Sequence, residues 1–262
     1  MLPFPTSLRS LPSTRSTVSR GARRAIPVLP ALLTLAIAFP LAAQDAPPPL
    51  QVTTDLGFVN AAGNTDVTTF NVGEELVYTT GPWGIKQTFG VVYGRTDGEV
   101  TTSLWRAGIR GDRSVGSRLG IYLLGAFDRN TFAGITRRFE EGAGLVLKAL
   151  ETSTDMLEFE AGAGLTQQRS TERVSSSFAS ARAAGTYRRS FSEASYLQLT
   201  SEVLPNLEDS EDLRVNSGAE LVAPISAQIA MKLAYVIRYD NLPEAGFEKT
   251  DRLFTAGLQI SF

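Results

Sequence analysis

The amino-acid sequence predicts an all-β fold, a closed antiparallel transmembrane β-barrel of about twelve strands in an up-and-down meander. Segments of alternating apolar and polar residues recur from Leu50 onward, and a side-chain period of two is that of a β-strand. Most segments have about 10–14 residues, which suits a tilted strand that crosses a membrane and exceeds the usual strand of a soluble protein. The last segment, from Arg252, has one apolar face and ends on Phe262, as expected of the closing strand of an outer-membrane barrel.

The first 43 residues have the layout of an export signal. They contain five Arg and no acidic residue, and the apolar run Ala31–Leu41 is followed by Ala42 and Ala43. A basic region, an apolar region too short for a transmembrane helix and a small-residue cleavage site make up a secretory signal peptide. We therefore predict a signal peptide over 1–43, a Pro-rich periplasmic spacer over 44–49 and an outer-membrane barrel over 50–262.

Composition excludes several classes of function. Removal of residues 1–43 leaves 20 basic and 27 acidic residues, a net charge of −7, and this argues against nucleic-acid binding, which favours a basic surface. The chain contains no Cys and no His, so it lacks disulfides, thiol chemistry and the imidazole base that outer-membrane lipases and proteases use. We predict no enzyme activity, no cofactor, no metal site and no nucleic-acid partner.

The strands follow one another along the chain with turns between them. The predicted strands are 50–61, 66–79, 84–95, 100–113, 119–129, 136–149, 156–169, 175–189, 196–204, 213–223, 229–239 and 250–262. Nine of the 13 Pro lie in the first 49 residues, and Pro82, Pro205, Pro224 and Pro243 fall at predicted turns or loops, because Pro cannot donate to a β-ladder. No segment keeps a helical period, so no long helix is predicted.

The connections alternate between tight turns and longer loops. The tight set is 80–84, 114–118, 151–155 and 224–228. The longer set is 130–135, 205–212 and 240–248, although the first connection of this set, around Gly63 and Asn64, is short. Short periplasmic turns and longer outer loops are expected of an outer-membrane barrel, and an even strand number places both ends of the barrel in the periplasm.

Each predicted strand has a lipid-facing row and a lumen-facing row. A Lys or Arg that faces lipid near the bilayer midplane costs roughly 2–4 kcal/mol, so charged residues should face the lumen. The predicted lumen-facing charges are Glu75, Arg106, Arg110, Asp112, Asp128, Arg138, Glu140, Glu158, Glu160, Arg182, Arg188, Glu220, Lys232 and Arg238. Glu74 and Glu141 fall on apolar rows instead, and we attribute each to a bulge or an error of register.

Aromatic and apolar residues define the predicted membrane contacts. The predicted interfacial aromatic residues are Trp83, Trp105, Tyr187 and Tyr239, since amphipathic rings favour the two membrane surfaces. Phe262, Ile260 and Leu258 form the predicted assembly signal in the last strand. The implied partners are therefore outer-membrane lipid and the barrel assembly machinery.

Three stretches of the chain carry a family resemblance. They are Leu56–Asn71 (LGFVNAAGNTDVTTFN), Thr131–Leu145 (TFAGITRRFEEGAGL) and Leu157–Leu165 (LEFEAGAGL). In this order, and together with Phe262, they resemble the salt-induced outer-membrane proteins of the YdiY-like family. The resemblance implies an outer-membrane barrel of unknown activity and supplies no catalytic residues.

Charges of both signs on the inward rows leave two interpretations of the lumen open. Opposite charges can pair and fill an interior that is intermediate between small filled barrels and open porins, or they can line a narrow pore. We predict an exported outer-membrane protein with a structural or envelope role, linked to osmotic or salt stress through the resemblance. The alternatives are a narrow charge-lined diffusion channel for small solutes and a soluble periplasmic ligand-binding barrel, which needs apolar inward rows.

Overall fold

The computed structural model describes residues 49–61 and 67–262, and these residues form twelve β-strands in one closed antiparallel barrel. The strands are β1 (Leu50–Ala61), β2 (Val67–Thr80), β3 (Trp83–Thr96), β4 (Glu99–Ser114), β5 (Leu119–Asn130), β6 (Ile135–Glu151), β7 (Asp155–Ser170), β8 (Ser175–Ser190), β9 (Tyr196–Pro205), β10 (Leu213–Pro224), β11 (Ile229–Asp240) and β12 (Thr250–Ser261). Each strand pairs with its sequence neighbours, and β1 pairs with β12 to close the ring. The predicted fold class is confirmed, and the predicted bounds differ from the observed ones by at most two residues.

Some predicted segments lie outside the described residues. They are the signal peptide at 1–43, the spacer up to residue 48 and the turn around Gly63 and Asn64. In the part of the chain that the structure describes, helical structure is confined to a 3₁₀ turn at Thr131–Ala133. No helix within these ranges is long and apolar enough to cross a membrane.

The two faces of the barrel differ in polarity because side chains alternate along each strand. In β11, Met231 and Tyr235 are 45% and 40% exposed on the outward face, whereas Ala230 and Ala234 are buried on the inward face. Exposed apolar side chains continue this outward band on other strands, for example Leu123 at 68%. A soluble ligand-binding barrel needs the inverse arrangement, since water disfavours a large contiguous apolar surface.

The two ends of the barrel carry different connections. The end that holds the start of β1 and the end of β12, here called the terminal end, has turns of two to five residues. The opposite end, here called the loop end, carries the two longest described connections, residues 206–212 and 241–249. The β3–β4 connection at the loop end is only Asp97 and Gly98, so the predicted asymmetry applies to those two loops and is not general.

Glu74 and Glu141 correct one expectation. Glu74 lies opposite Phe89, and Glu141 lies opposite Leu165, both on outward rows. The pairing of β2 is continuous, and the register shifts of β6 lie near its ends. The attribution of these residues to a bulge or a register error is therefore wrong. Both carboxylates lie on the apolar exterior.

Candidate functional site

The charged side chains of the inward rows make contacts that cross the interior of the barrel. Arg110 of β4 contacts Glu160 of β7 at 2.9 Å, and Lys232 of β11 contacts Asp55 of β1 at 2.7 Å. Neither pair of strands is adjacent in the ring, so these contacts form through the lumen. The interior is therefore the part of the molecule where charge and shape can act on a solute.

Tyr122 of β5 is the centre of the filled half of the lumen. Its side chain is 2% exposed, and the Arg110 guanidinium lies 4.5 Å from the centre of its ring. Arg182 Nη1 donates to the Tyr122 hydroxyl at 3.1 Å. Gly144 and Gly162 make room for the ring, because a Cβ on either would come within 2.7 Å of it.

Carboxylates neutralise the two guanidinium groups beside Tyr122. Glu160 accepts hydrogen bonds from both Arg110 and Arg182, Arg182 also donates to Glu202 at 2.6 Å, and Arg110 donates to Asp112 at 2.8 Å. These charge-assisted hydrogen bonds hold the cluster together, and its three carboxylates outnumber its two guanidinium groups by one. No group of three or more carboxylates within the described ranges is placed to hold a metal ion.

Arg214 of β10 makes a further contact across the filled half. Its guanidinium is buried, with Nη1 2.5 Å from Glu140 of β6 and Nη2 3.2 Å from the Thr166 hydroxyl. Phe178 lies beneath it, with 6.0 Å between the guanidinium and the ring centre. These strands are four positions apart in the ring, so Arg214 fixes one wall of the barrel against another.

The loop-end bridge is the set of ion pairs formed by Arg106, Asp128 and Arg238. Arg238 of β11 lies 3.3 Å from Asp128 of β5, and these strands are six positions apart in a ring of twelve. Arg106 of β4 pairs with the same carboxylate at 3.1 Å. Nearby, Arg138 of β6 lies 3.9 Å from Asp240 of β11. Ion pairs therefore cross the full width of the lumen near the loop end.

The loop at residues 241–249 covers this bridge. A Cβ on Gly134 would lie 2.6 Å from Glu244 Cβ and 2.9 Å from the Phe247 ring. Gly134 follows β5, which lies opposite β11 in the ring, so the loop that leaves β11 reaches across the opening. Burial raises the pKa of the Glu244 carboxyl above its ordinary value, as expected where a carboxylate loses contact with water.

A cavity of about 570 Å³ remains on the β1–β4 side of the lumen. Its wall includes the small residues Gly73 and Gly90, and its charged lining runs from Lys232 to Arg238. Lys232 and Arg238 are six residues apart on β11, so the charged lining of the cavity extends over about 20 Å along the strand. Farther toward the terminal end, the inward ion pair between Lys86 and Glu75 is 45% and 44% exposed, so the interior is accessible to water there.

Most of the predicted lumen-facing charges take part in these ion pairs. Those that do are Glu75, Arg106, Arg110, Asp112, Asp128, Arg138, Glu140, Glu160, Arg182, Glu220, Lys232 and Arg238. Among the described residues, Glu158 and Arg188 form no ion pair. Glu158 stands opposite Lys148 in the β6–β7 register, and the Arg188 guanidinium lies 3.6 Å from the centre of the Tyr196 ring.

The predicted set lacks several partners that the structure brings together. Asp55, Lys86 and Glu202 lie on inward rows and pair with members of the set, and strict alternation would have found them. Tyr122 carries no comparable signal, because its partners come from β4, β7 and β8. Strand β4 is the hydrogen-bonded neighbour of β5, but β7 and β8 come near Tyr122 only because the sheet curves round the lumen.

A closed ring of long strands with an apolar exterior and an ionic interior is the outer-membrane type of β-barrel fold. The chain belongs to the family described as "Protein of unknown function, DUF481", which matches residues 54–262. No curated protein matches the chain.

Porins and autotransporter barrels are among the solved structures that the chain is similar to. A NanC porin structure has a TM-score of 0.45 at 11% identity and covers 81% of this chain and 97% of its own. The translocator domain of the autotransporter NalP from Neisseria meningitidis has a TM-score of 0.45 at 13% identity, covering 83% and 89%. The β-domain of the Bordetella autotransporter BrkA has a TM-score of 0.41 at 13% identity, covering 81% and 98%. At these identities the likeness carries no information about substrate or activity.

Proposed function

We propose that the protein is an outer-membrane β-barrel with a structural role in the envelope and a lumen that is closed at its loop end. The apolar exterior supports the membrane location. Phe58, Leu123 and Phe254 are each more than 60% exposed on outward rows, and hydrocarbon rather than water is the solvent that suits such a surface. The predicted signal peptide would bring the chain to the periplasm, where the barrel assembly machinery would insert it.

In the proposed orientation of the barrel in the outer membrane, the terminal end faces the periplasm and the loop end faces the outside of the cell. Strands of 10 to 17 residues at a tilt near 40° are long enough for an apolar band of about 25 Å. The short turns lie at the terminal end, as expected for the side from which such barrels insert.

One observation carries the proposal of a closed lumen. The loop-end bridge joins opposite walls of the barrel through Arg238 and Asp128, and the 241–249 loop lies across it. A hydrated solute that entered from the periplasmic side would reach the cavity and would meet paired charges instead of an exit. Charge pairing across strands then serves to hold the barrel wall together.

Planar-bilayer conductance tests this proposal. We expect the purified wild-type barrel to give no stable unitary steps. Arg138→Ala and Arg238→Ala together, combined with replacement of residues 242–248 by two Gly, should give stable steps because both pairs that cross the lumen near the loop end and their cover are lost. Asp128 keeps Arg106 as its partner in this variant, so no buried carboxylate is left unpaired.

Lys86→Ala is the matched control for this experiment. Lys86 is an inward cation on the same side of the lumen as the cavity, but its partner Glu75 lies on the adjacent strand β2. Its loss should therefore not open the loop end. Stable steps from the wild-type protein would contradict the closed lumen.

A narrow diffusion channel is the second candidate, and the cavity of about 570 Å³ favours it. Gly90 lines this cavity, and a Cβ there would meet nothing closer than 3.9 Å. Gly90→Phe would therefore fill the passage and lower any wild-type conductance. Gly111 lies on the outward row of β4 with open space around it, so Gly111→Phe should leave the conductance unchanged.

We retain a link to osmotic stress as part of the envelope role, supported by the sequence resemblance alone. Growth of a deletion strain at high salt tests it. A growth defect that the wild-type gene rescues would support the link, and growth equal to that of the parent strain would argue against it.

A further inference from the structure

Three Arg side chains form a row on the outward face near the loop end. Arg129, Arg137 and Arg169 lie on the consecutive strands β5, β6 and β7. Arg137 and Arg169 are direct register partners. Arg129 lies two residues beyond Phe127 on the same row, at the point where the β5–β6 register shifts. We call these three residues the rim arginine row.

The rim arginine row lacks anionic partners in the protein. Among the described residues, its side chains form no hydrogen bond or ion pair, and Arg129 and Arg137 are exposed. Like charges directly opposite each other on one face of a sheet are destabilising. The arrangement therefore carries a local cost that an anion from outside the chain would remove.

Outward cations at the terminal end differ from this row. The Arg113 guanidinium lies 5.0 Å from the centre of the Trp83 ring, and Arg189 pairs with Asp155 at 3.1 Å. Within the described ranges, Arg113 and Arg189 each have a partner in the protein, whereas the register pair Arg137 and Arg169 brings two guanidinium groups together without a carboxylate.

The height of the row matches a lipid headgroup. Ten residues separate Arg137 from Leu147 on β6, and ten separate Arg169 from Phe159 on β7. Ten residues span about 33 Å along a strand, or about 25 Å along the barrel axis at a tilt near 40°, which is the height of the apolar band. The guanidinium groups thus lie at the outer boundary of that band.

We propose that the rim arginine row binds the phosphate groups of a phosphorylated lipid in the outer leaflet. This inference rests on the proposed outer-membrane location with the loop end outside. Arg presents a planar fork of donors that matches phosphate oxygens in pairs. Phe127 and Phe139, whose ring centres are 5.1 Å apart, lie directly below the row and offer an apolar surface for acyl chains.

The test measures binding of lipid A to the purified full-length barrel in detergent. We expect the wild type to bind lipid A, to bind dephosphorylated lipid A more weakly and to bind inorganic pyrophosphate more weakly than lipid A. The triple variant Arg129→Gln, Arg137→Gln, Arg169→Gln should bind lipid A at least about tenfold more weakly, since charge-assisted hydrogen bonds are lost. The corresponding triple Lys variant should fall between the two, because Lys keeps the charge without the paired donors.

Arg252→Gln is the matched control. Arg252 lies on the outward row near the loop end of β12, where its register partner on β11 is Ile237 and not a second Arg. Its loss should leave binding unchanged, whereas Arg137→Gln alone should weaken it. Folding of each variant is judged by heat-modifiable migration on a gel. If the triple variant does not fold, the comparison of Arg137→Gln with Arg252→Gln tests the lipid site instead.

Several results would overturn the lipid site. They are wild-type affinity in the triple variant, equal affinity for dephosphorylated lipid A, and pyrophosphate binding as tight as lipid A binding, which would assign the row to a free anion. Membrane fractionation separates this inference from the proposed function. If the protein is found in the outer membrane but does not bind lipid A, the lipid site alone is refuted. If the protein is found in the periplasm, the proposed location is refuted.

Discussion

Tyr122 occupies the middle of the lumen because glycine residues of the facing wall leave space for its ring. Gly144 pairs with Gly162 in register between β6 and β7, and the Tyr122 hydroxyl projects over both. Arg110 and Arg182 then pack on the ring with their carboxylate partners. Gly144 and Gly162 are therefore required for packing inside the barrel, because no larger side chain fits beside the Tyr122 ring.

Gly144→Ala should destabilise the folded barrel by about 1–3 kcal/mol, since overpacking forces neighbouring atoms apart. The added Cβ would lie 2.3 Å from the Ala161 carbonyl oxygen and 2.7 Å from the Tyr122 ring. Reversible urea unfolding in lipid vesicles measures the free energy of unfolding. Gly111→Ala is the control, because its Cβ meets nothing within 4 Å, and an equal loss in both variants would show that the packing around Tyr122 is not the cause.

Glu74 should cost stability because its carboxylate lies on the apolar exterior. Replacing it by Leu should raise the free energy of unfolding by about 1 kcal/mol, less than the effect of a lipid-facing Arg or Lys at the midplane. Glu75, the next residue, faces inward and pairs with Lys86 at 2.6 Å, so Glu75→Leu should give no gain. A stabilisation by Glu75→Leu and not by Glu74→Leu would reverse the assignment of the two faces.

At the scale of elements, the 241–249 loop is held by contacts on the far side of the opening. Gly134 has a left-handed φ of +77° and sits against Glu244 and Phe247. Left-handed backbone favours glycine, and the close approach of the loop adds a second requirement for the absence of a Cβ. The turn between β5 and β6 thus positions the cover of the lumen.

Gly134→Ala should loosen the loop and make it more sensitive to external protease in reconstituted vesicles. The Cβ would strain the backbone and displace Glu244, and we expect a loss of about 1–2 kcal/mol from the unfavourable φ alone. Gly98→Ala separates these effects, because Gly98 has a φ of +82° with nothing within 4 Å of its Cβ position. Equal protease sensitivity of the loop in both variants would contradict the contact between Gly134 and the loop.

In the molecule as a whole, the strands could be predicted because a barrel with an apolar exterior and a polar lumen imposes a strict period of two. This is why the bounds of β5, β9 and β11 follow from alternation. The closure at the loop end could not be predicted, because Arg238 and Asp128 are 110 residues apart and meet only when β11 lies opposite β5. The number of strands in the closed ring decides that pairing, and alternation does not encode it.

The uneven filling of the lumen is a second property of the whole ring. The β4–β10 side is filled by Tyr122, Arg214 and their partners, while small residues such as Gly73 and Gly90 leave the cavity on the β1–β4 side. Alternation along each strand predicts which residues face inward, but it does not predict which of them meet across the lumen. For this reason charge balance alone left both a filled interior and a narrow pore open.

If the outward rows face hydrocarbon and the inward rows face a polar lumen, adjacent residues of one strand must differ in their contact with lipid, and Phe89 and Gly90 are such a pair. They are adjacent residues in the middle of β3, with Phe89 38% exposed outward and Gly90 lining the cavity. Phe89→Trp and Gly90→Trp are made separately with both native Trp residues, Trp83 and Trp105, replaced by Phe. Each variant is reconstituted in vesicles of phosphatidylcholine brominated at mid-chain, which quenches fluorescence on contact. We expect strong quenching of Trp at position 89 and little at position 90, and quenching confined to position 90 would contradict the account.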